Sequence, residues 1–296
     1  FTRPIRELSR VAGSVSRLDF SDRYKGHGRD EFADLGNSIN TMASALETTV
    51  SDLKTANLQL INDNELKTRQ SEARRAFIAN VSHELKTPIS LIQNYAEGLR
   101  ENIAENAENR DFYCGVIEDE ANKMSILIKK MTMLMQLEAG NEELVIERFD
   151  VTELIYGLLQ KYRPRFDKNQ IRVSAPPDRP VYVWADEFLI ENVLSNYLSN
   201  ALNHVEPHGL ISASINEEKS GRIRISVFNS GSRIPEEDIN RIWESFYKGD
   251  KARTRAYGGT GIGLSVVAAI MKAHRMPYGV INHENGVEFY IELETR

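Results

Sequence analysis

The sequence holds a single cysteine, Cys114, so no disulfide can form within the chain and a reducing compartment fits best. It has no surplus of positive charge: 37 Lys and Arg stand against 43 Asp and Glu, a formal net charge of -6. A surface of that sign cannot neutralise a run of phosphates, which argues against a nucleic-acid binder. Long apolar runs are missing too. None approaches the roughly 18–20 residues that a membrane-spanning helix needs, and no signal-peptide pattern is present. The initiator methionine is also absent. Phe1 is followed by Arg3-Pro4-Ile5, which leads straight into a helical pattern, as expected of a piece of a longer protein.

What is present suits a soluble multidomain chain with exposed helices: 296 residues, 41% hydrophobic and 27% charged. Residues 1–138 read as helical almost throughout. The first fifty form two short patterns around a loop with Gly26 and Gly28, the second opening at Asp30-Glu31 and carrying Phe32, Leu35, Ile39, Met42 and Leu46 at helical spacing. Leu46, Leu53 and Leu60 then recur once per heptad, the pattern of a coiled-coil seam. Beyond it, Ile78, Val81, Leu85, Ile89, Ile92, Ala96 and Leu99 fall in one helical stripe about 80° wide. His83 lies about 160° from the middle of that stripe and is expected to face solvent. Pro88 removes a backbone donor just after it and is expected to bend the helix. A second helix turns Ile117, Met124, Leu127, Met131 and Leu134 inward and stops at Ala139-Gly140, with Cys114 read as a packing residue. Two such helices cannot bury both stripes alone, so a homodimeric four-helix bundle is expected.

From residue 144 strand-like runs alternate with helices: Leu144 to Phe149, Ile171 to Ser174, Val181 to Trp184, Leu210 to Ile215, Ile223 to Phe228 and Gly286 to Leu293, with helices near 151–162, 186–203 and 261–274. The fold class expected is therefore multidomain, a coiled coil and dimeric bundle followed by a compact α/β sandwich. In this second part Asn196 and Asn200 sit four apart on one helix face, where neutral amide oxygens can complete the coordination of a phosphate-bound Mg2+. Asn229-Ser230-Gly231 ends a strand, where a polar side chain could read a base edge or simply make a turn. Gly258-Gly259-Thr260-Gly261-Ile262-Gly263 runs into an apolar helix whose free N–H groups suit phosphates. Leu264 stands where a P-loop needs Lys, and the glycine spacing is not that of a dinucleotide fold. His204 and His208 have metal-ligand spacing, but Pro207 and Gly209 break the helix between them and argue against a zinc pair.

Taken in order, these elements resemble the ATP-binding domain shared by sensor histidine kinases, heat-shock protein 90, gyrase and mismatch-repair ATPases, the GHKL or Bergerat fold. The run Phe77-Ile78-Ala79-Asn80-Val81-Ser82-His83-Glu84-Leu85-Lys86-Thr87-Pro88 resembles the phosphoacceptor box of membrane-linked sensor histidine kinases. The first fifty residues are similar to the HAMP linker of such proteins. The resemblance implies a HAMP-like linker over 1–50, a signalling helix over 51–76, dimerisation and phosphotransfer helices over 77–140 and a catalytic domain over 141–296. It implies that His83 accepts the phosphoryl group, Glu84 is the neighbouring carboxylate, and Thr87 orients water for phosphatase activity. Asn196 and Asn200 match the Mg2+ face, and Asn203, Asn229, Gly231 and Ile234 the nucleotide site. Phe246, Tyr247 and Lys248 match the lid, Gly259, Thr260, Gly261, Ile262, Gly263 and Leu264 the phosphate loop, and Gly286 the last glycine box. ATP and Mg2+ are the implied cofactors, and a response-regulator receiver domain the implied partner. The implied place is the cytoplasmic side of a bacterial inner membrane, through a transmembrane segment outside this sequence.

In the ATPase relatives a glutamate that activates water sits one turn before the metal-binding asparagine. Here that position is Asn196, a poor base, so water attack is disfavoured and the phosphoryl group is left for an imidazole. Asn229 replaces the family's usual aspartate, Arg233 a common glycine, and Asn203 a common lysine with His204 after it. These departures bear on nucleotide affinity more than on fold. The competing class is a degenerate scaffold that relays helix movements without phosphoryl transfer.

Overall fold

The computed structural model describes residues 2–26, 30–101, 106–140, 143–218, 221–248 and 261–295. The chain divides into two compact units, Phe1–Ala76 and Phe77–Arg296. Among the described residues no helix is long and apolar enough to cross a membrane.

The first unit contains α1 (Thr2–Ser16) and the first part of α2, which spans Glu31–Arg100. Leu8, Val11 and Ser14 recur every three residues and are the buried face of α1. Asp30 starts α2 by accepting from the Ala33 amide at 3.1 Å, and Glu31 and Asp34 place negative charge at the helix N-terminus. The connector is tied down by polar contacts. Arg10 meets Asp22 at 2.6 Å and the Ser14 hydroxyl donates to the same carboxylate, which together hold it below its usual range. Asn40 accepts from the Tyr24 amide and donates to the Tyr24 carbonyl, both at 2.9 Å. Leu35, Met42, Leu46, Leu53 and Leu60 stay exposed, so the predicted seam is uncovered in a single chain. Gly28 of the expected loop lies outside the described residues.

The second unit begins with the rest of α2 and continues with α3 (Ala107–Glu138), capped by Asn106, whose side chain accepts from the Asn109 amide at 2.8 Å. Leu127, Leu134 and Leu137 are its buried residues, and the last two are 1% and 9% exposed. Ile78 and Ile89 of the facing stripe remain exposed. The helix continues through Pro88, which is buried. Cys114 is exposed rather than packed, because it falls on the polar side of α3, away from Leu127 and Leu134.

The α/β part holds β1 (Glu147–Asp150), α4 (Val151–Lys168), β2 (Arg172–Ser174), β3 (Tyr182–Ala185), α5 (Glu187–His204), β4 (Leu210–Glu218), β5 (Arg222–Ser230), a short 3-10 turn (Arg241–Trp243), α6 (Gly263–Ala273), β6 (Tyr278–His283) and β7 (Gly286–Glu294). The strands form one sheet in the order β1-β3-β7-β5-β4-β2, with β6 also paired to β7. Ile223, Ile225 and Val227 of β5 and Val287, Phe289, Ile291 and Leu293 of β7 are buried, every second residue, against the helices. The alternate positions include a charged pair: Arg224 meets Glu292 at 2.7 Å. From the helical layer come Leu158, Ile190, Leu194, Tyr197, Val267 and Ile270, each contributing roughly 1.5–3 kcal/mol when fully buried. This is the expected α/β sandwich.

Some details differ from the sequence reading: β4 and β5 run longer than expected, to Glu218 and over Arg222–Ser230. The first strand begins at Glu147 and not Leu144. The helix α4 runs past Pro164 to Lys168, because Phe166, 1% exposed, anchors its last turn in the core. The strand β6 was hidden by Pro277 and Gly279, which read as a turn, and by even, partial burial that leaves no alternating pattern.

Candidate functional site

Asp186 opens α5 by accepting from the Leu189 amide at 3.0 Å. The helix then sets Asn196, Asn200 and Asn203 along the wall of a cavity of about 860 Å³, within the usual range for small-molecule sites of about 300–1,000 Å³. Asn196 is buried, and its Nδ2 donates to the Asn192 carbonyl at 2.9 Å, which leaves Oδ1 as the acceptor of the amide. The Asn200 amide makes no hydrogen bond to the described residues. Val287 and Phe289 line the floor, with Asn229 at the end of β5. Asn229 is 2% exposed; its Nδ2 donates to the Ser230 carbonyl at 3.3 Å, and its Oδ1 has no donor among the described residues.

The far wall is the segment after β5. Gly231, with φ 140°, donates its amide to the Asn285 carbonyl at 3.1 Å. Ile234 is clamped by Asn282, which accepts from its amide and donates to its carbonyl at 3.0 and 2.8 Å. The Tyr247 hydroxyl donates to the Asp238 carboxylate, a bond that pushes the phenol pKa up, and the Arg241 guanidinium lies over its ring, 4.4 Å from the centroid. Phe246 donates its amide to the Gly261 carbonyl at 2.8 Å. Gly261 has φ 70°, and a Cβ there would stand 2.8 Å from the Phe246 Cα, so only glycine closes this end of the lid. Gly263 starts α6, where a Cβ would lie 3.1 Å from Asn196 Oδ1.

His83 is exposed on α2, as its place opposite the apolar stripe predicts. Thr87, also exposed, lies one turn along. Unlike Ser82, whose hydroxyl is bonded back to the Ile78 carbonyl at 3.0 Å, it makes no hydrogen bond to the described residues. Glu84 is ion-paired with Lys248 at 2.7 Å, and Phe77 meets Phe246 edge-on at 5.4 Å. From α3, the Lys130 ammonium donates to Asn196 Oδ1 at 2.7 Å, and its burial lowers its pKa. Leu127, Leu134 and Leu137 belong to the same apolar cluster as the sheet and α6.

Residues 73–140 match the His Kinase A (phospho-acceptor) domain, residues 185–296 the Histidine kinase-, DNA gyrase B-, and HSP90-like ATPase, and residues 1–48 the HAMP domain. The chain belongs to the sensor histidine kinases. This histidine kinase is 31% identical over 218 residues to the sensor histidine kinase WalK of Bacillus subtilis, covering 73% of this chain and 36% of that protein. It is 28% identical over 299 residues to the sensor histidine kinase TrcS of Mycobacterium tuberculosis, covering 96% of this chain and 55% of that one. The chain therefore spans roughly half or less of these relatives. Among solved structures, the Acinetobacter baumannii histidine kinase AdeS shares the fold at a TM-score of 0.59 and 24% identity, over 72% of this chain and 98% of that one. The histidine kinase ThkA, solved in complex with the response regulator protein TrrA, gives a TM-score of 0.55 at 25% identity, over 74% and 61%.

Of the residues singled out in this histidine kinase, Asn196, Asn200, Asn203, Asn229, Ile234, Tyr247, Lys248, Gly261, Gly263 and Leu264 line this same cavity. Ile262 does not; it is fully buried and serves the core. Gly231 and Phe246 shape the walls without lining them, and Gly286 pairs with Ser230 across the sheet. Gly259 and Thr260 lie outside the described residues. His83, Glu84 and Thr87 lie on α2, with Glu84 joined to the site through Lys248. Sequence reasoning missed Ser199, Asp238, Arg241 and Lys130. Lys130 did carry a signal: it is a lysine on the apolar stripe of Leu127, Met131 and Leu134.

Proposed function

We propose that the chain transfers the γ-phosphoryl group of ATP to His83 and passes it to an aspartate of a response-regulator receiver domain, working as a homodimer. The observation that supports this most is the solvent-facing His83 whose neighbour Glu84 is bonded to Lys248, a residue lining the asparagine-walled cavity. An imidazole nitrogen forms the N–P bond, the bridging β–γ P–O bond breaks, and ADP leaves with the electron pair. Glu84 holds the imidazole tautomer and takes its proton. Asn196 and Asn200 fit Mg2+ by their chemistry: both offer neutral oxygens, and the first already holds a cationic group. When bound, the metal neutralises phosphate charge. Tyr247, Lys248 and Gly261 line the cavity where they can cover the phosphates and exclude water, and Asn196 supplies no base to activate it. The HAMP match supports linkage to a bacterial inner membrane, with these domains on its cytoplasmic side. Incubation with γ-labelled ATP and Mg2+, then acid or base, tests the reading: the label is expected to be lost in acid and to survive base. Tight ATP binding with no label, or no binding at all, would favour the degenerate scaffold.

Thr87 is proposed to orient water for removal of phosphate from the partner regulator. Its free hydroxyl one turn from His83 can hold water yet has no part in the imidazole's proton. Thr87→Ala is expected to impair regulator dephosphorylation about tenfold and autophosphorylation by less than about twofold. Equal losses in the two assays would refute the split.

Asn229 is proposed to accept from the adenine amino group through Oδ1. A freely flipping amide would also suit the guanine carbonyl, but the Nδ2 bond to Ser230 opposes the flip. Asn229→Ala is expected to weaken ATP binding by about 1 kcal/mol, roughly fivefold, and Asn229→Asp to leave it equal or modestly tighter, since charged acceptors bond more strongly. Calorimetric titration of ATP and GTP into the three proteins decides it. Alanine binding as tightly as wild type would reduce Asn229 to a turn residue.

A further inference from the structure

Lys130 is the one described residue of the helical hairpin that lines the cavity. It is no loose surface lysine. Leu127 and Leu134, one turn to either side on the same face, are 3% and 1% exposed in the core cluster, so the backbone between them is held by packing. Its ammonium sits 2.7 Å from Asn196 Oδ1, and a Cβ on Gly263 would lie 4.0 Å from it, which puts it beside the start of α6. With Asn196 Nδ2 already donating to Asn192, Oδ1 is the atom of that amide left for a cation. The opposite crossing is made by the lid: Lys248 reaches Glu84, and Phe246 meets Phe77.

We propose that Lys130 is a tethered cation that takes the metal's place at Asn196, so that the docked hairpin and metal-loaded nucleotide exclude one another. The proposal rests on Asn196 belonging to the metal face. Ammonium and Mg2+ on one buried amide oxygen would set a single and a double positive charge side by side, and their repulsion favours one occupant. Metal-loaded nucleotide therefore displaces Lys130 and loosens α3 from the catalytic domain. Metal-free nucleotide, whose phosphates lack a counter-ion, does not require the ammonium to leave.

The test compares wild type with Lys130→Met, which keeps the apolar stem and removes the charge. By calorimetry, Mg·ADP is expected to bind the variant about fivefold more tightly, a coupling of ordinary size, while ADP with chelator binds it equally or more weakly. Unchanged or weaker Mg·ADP binding in a folded variant would overturn the proposal. A second readout needs no substitution: acylation of Lys130 in the wild-type protein, measured by mass spectrometry, is expected to rise about fivefold on adding Mg·ADP. Labelling that stays level or falls would overturn it too. If wild type binds no Mg·ADP under any condition, the nucleotide-site reading itself fails; if it binds and neither readout moves, only the role of Lys130 does.

Discussion

His83→Gln is expected to take no label from γ-labelled ATP, while it folds and binds nucleotide as wild type does. The side chain is exposed on α2 and lies outside the cavity, so its replacement removes no core contact. Exposed substitutions of this kind usually change stability by no more than about 0.5 kcal/mol. Glutamine keeps length and polarity, but its amide nitrogen lone pair is delocalised into the carbonyl and cannot attack phosphorus, so the loss falls wholly on chemistry. Autoradiography, a thermal melt and an ATP titration on the same preparation separate the three effects. Label at the wild-type level would mean that another residue is the acceptor.

The second large effect is expected at the metal face. Asn200→Asp should lower autophosphorylation at saturating ATP at least about tenfold, or about 1.4 kcal/mol of barrier. The Asn200 amide is half-buried, lines the cavity and makes no hydrogen bond to the described residues, so its exchange should leave the helix intact. A carboxylate there adds negative charge beside the phosphates and draws the metal into a different geometry. Both effects oppose a reaction whose catalysis is mostly positioning and charge stabilisation. Initial rates across a range of Mg2+ concentrations measure it. An unchanged rate at saturating ATP would remove Asn200 from the site.

Periodicity decided much of this protein without coordinates. The stripe Ile78, Val81, Leu85 and Ile89 put His83 on the opposite side of its helix, and the structure leaves it exposed. The spacing of Asn196 and Asn200 put both on one face, and both line the cavity. Such results follow from local geometry, because an α-helix turns about 100° per residue whatever surrounds it. The strands β4, β5 and β7 were legible for the same reason, since each buries alternate residues. Where local signals conflict with packing, the sequence misleads. The helix expected over 151–162 runs on to Lys168 because Phe166 is seated in the core, and Cys114 reads as apolar packing until its side of α3 is seen to be open.

Only the tertiary structure decided which distant side chains meet. Lys130 and Asn196 are 66 positions apart, and Lys248 and Glu84 are 164 apart. No periodicity carries information across such separations, because the contact depends on how α3 and the lid seat against the sheet and α6. The orientation of the Asn229 amide is of the same kind, set by a neighbouring carbonyl and the strand geometry that aims it. Residue type and spacing thus determined which groups could do the chemistry, and packing determined which cation each of them holds.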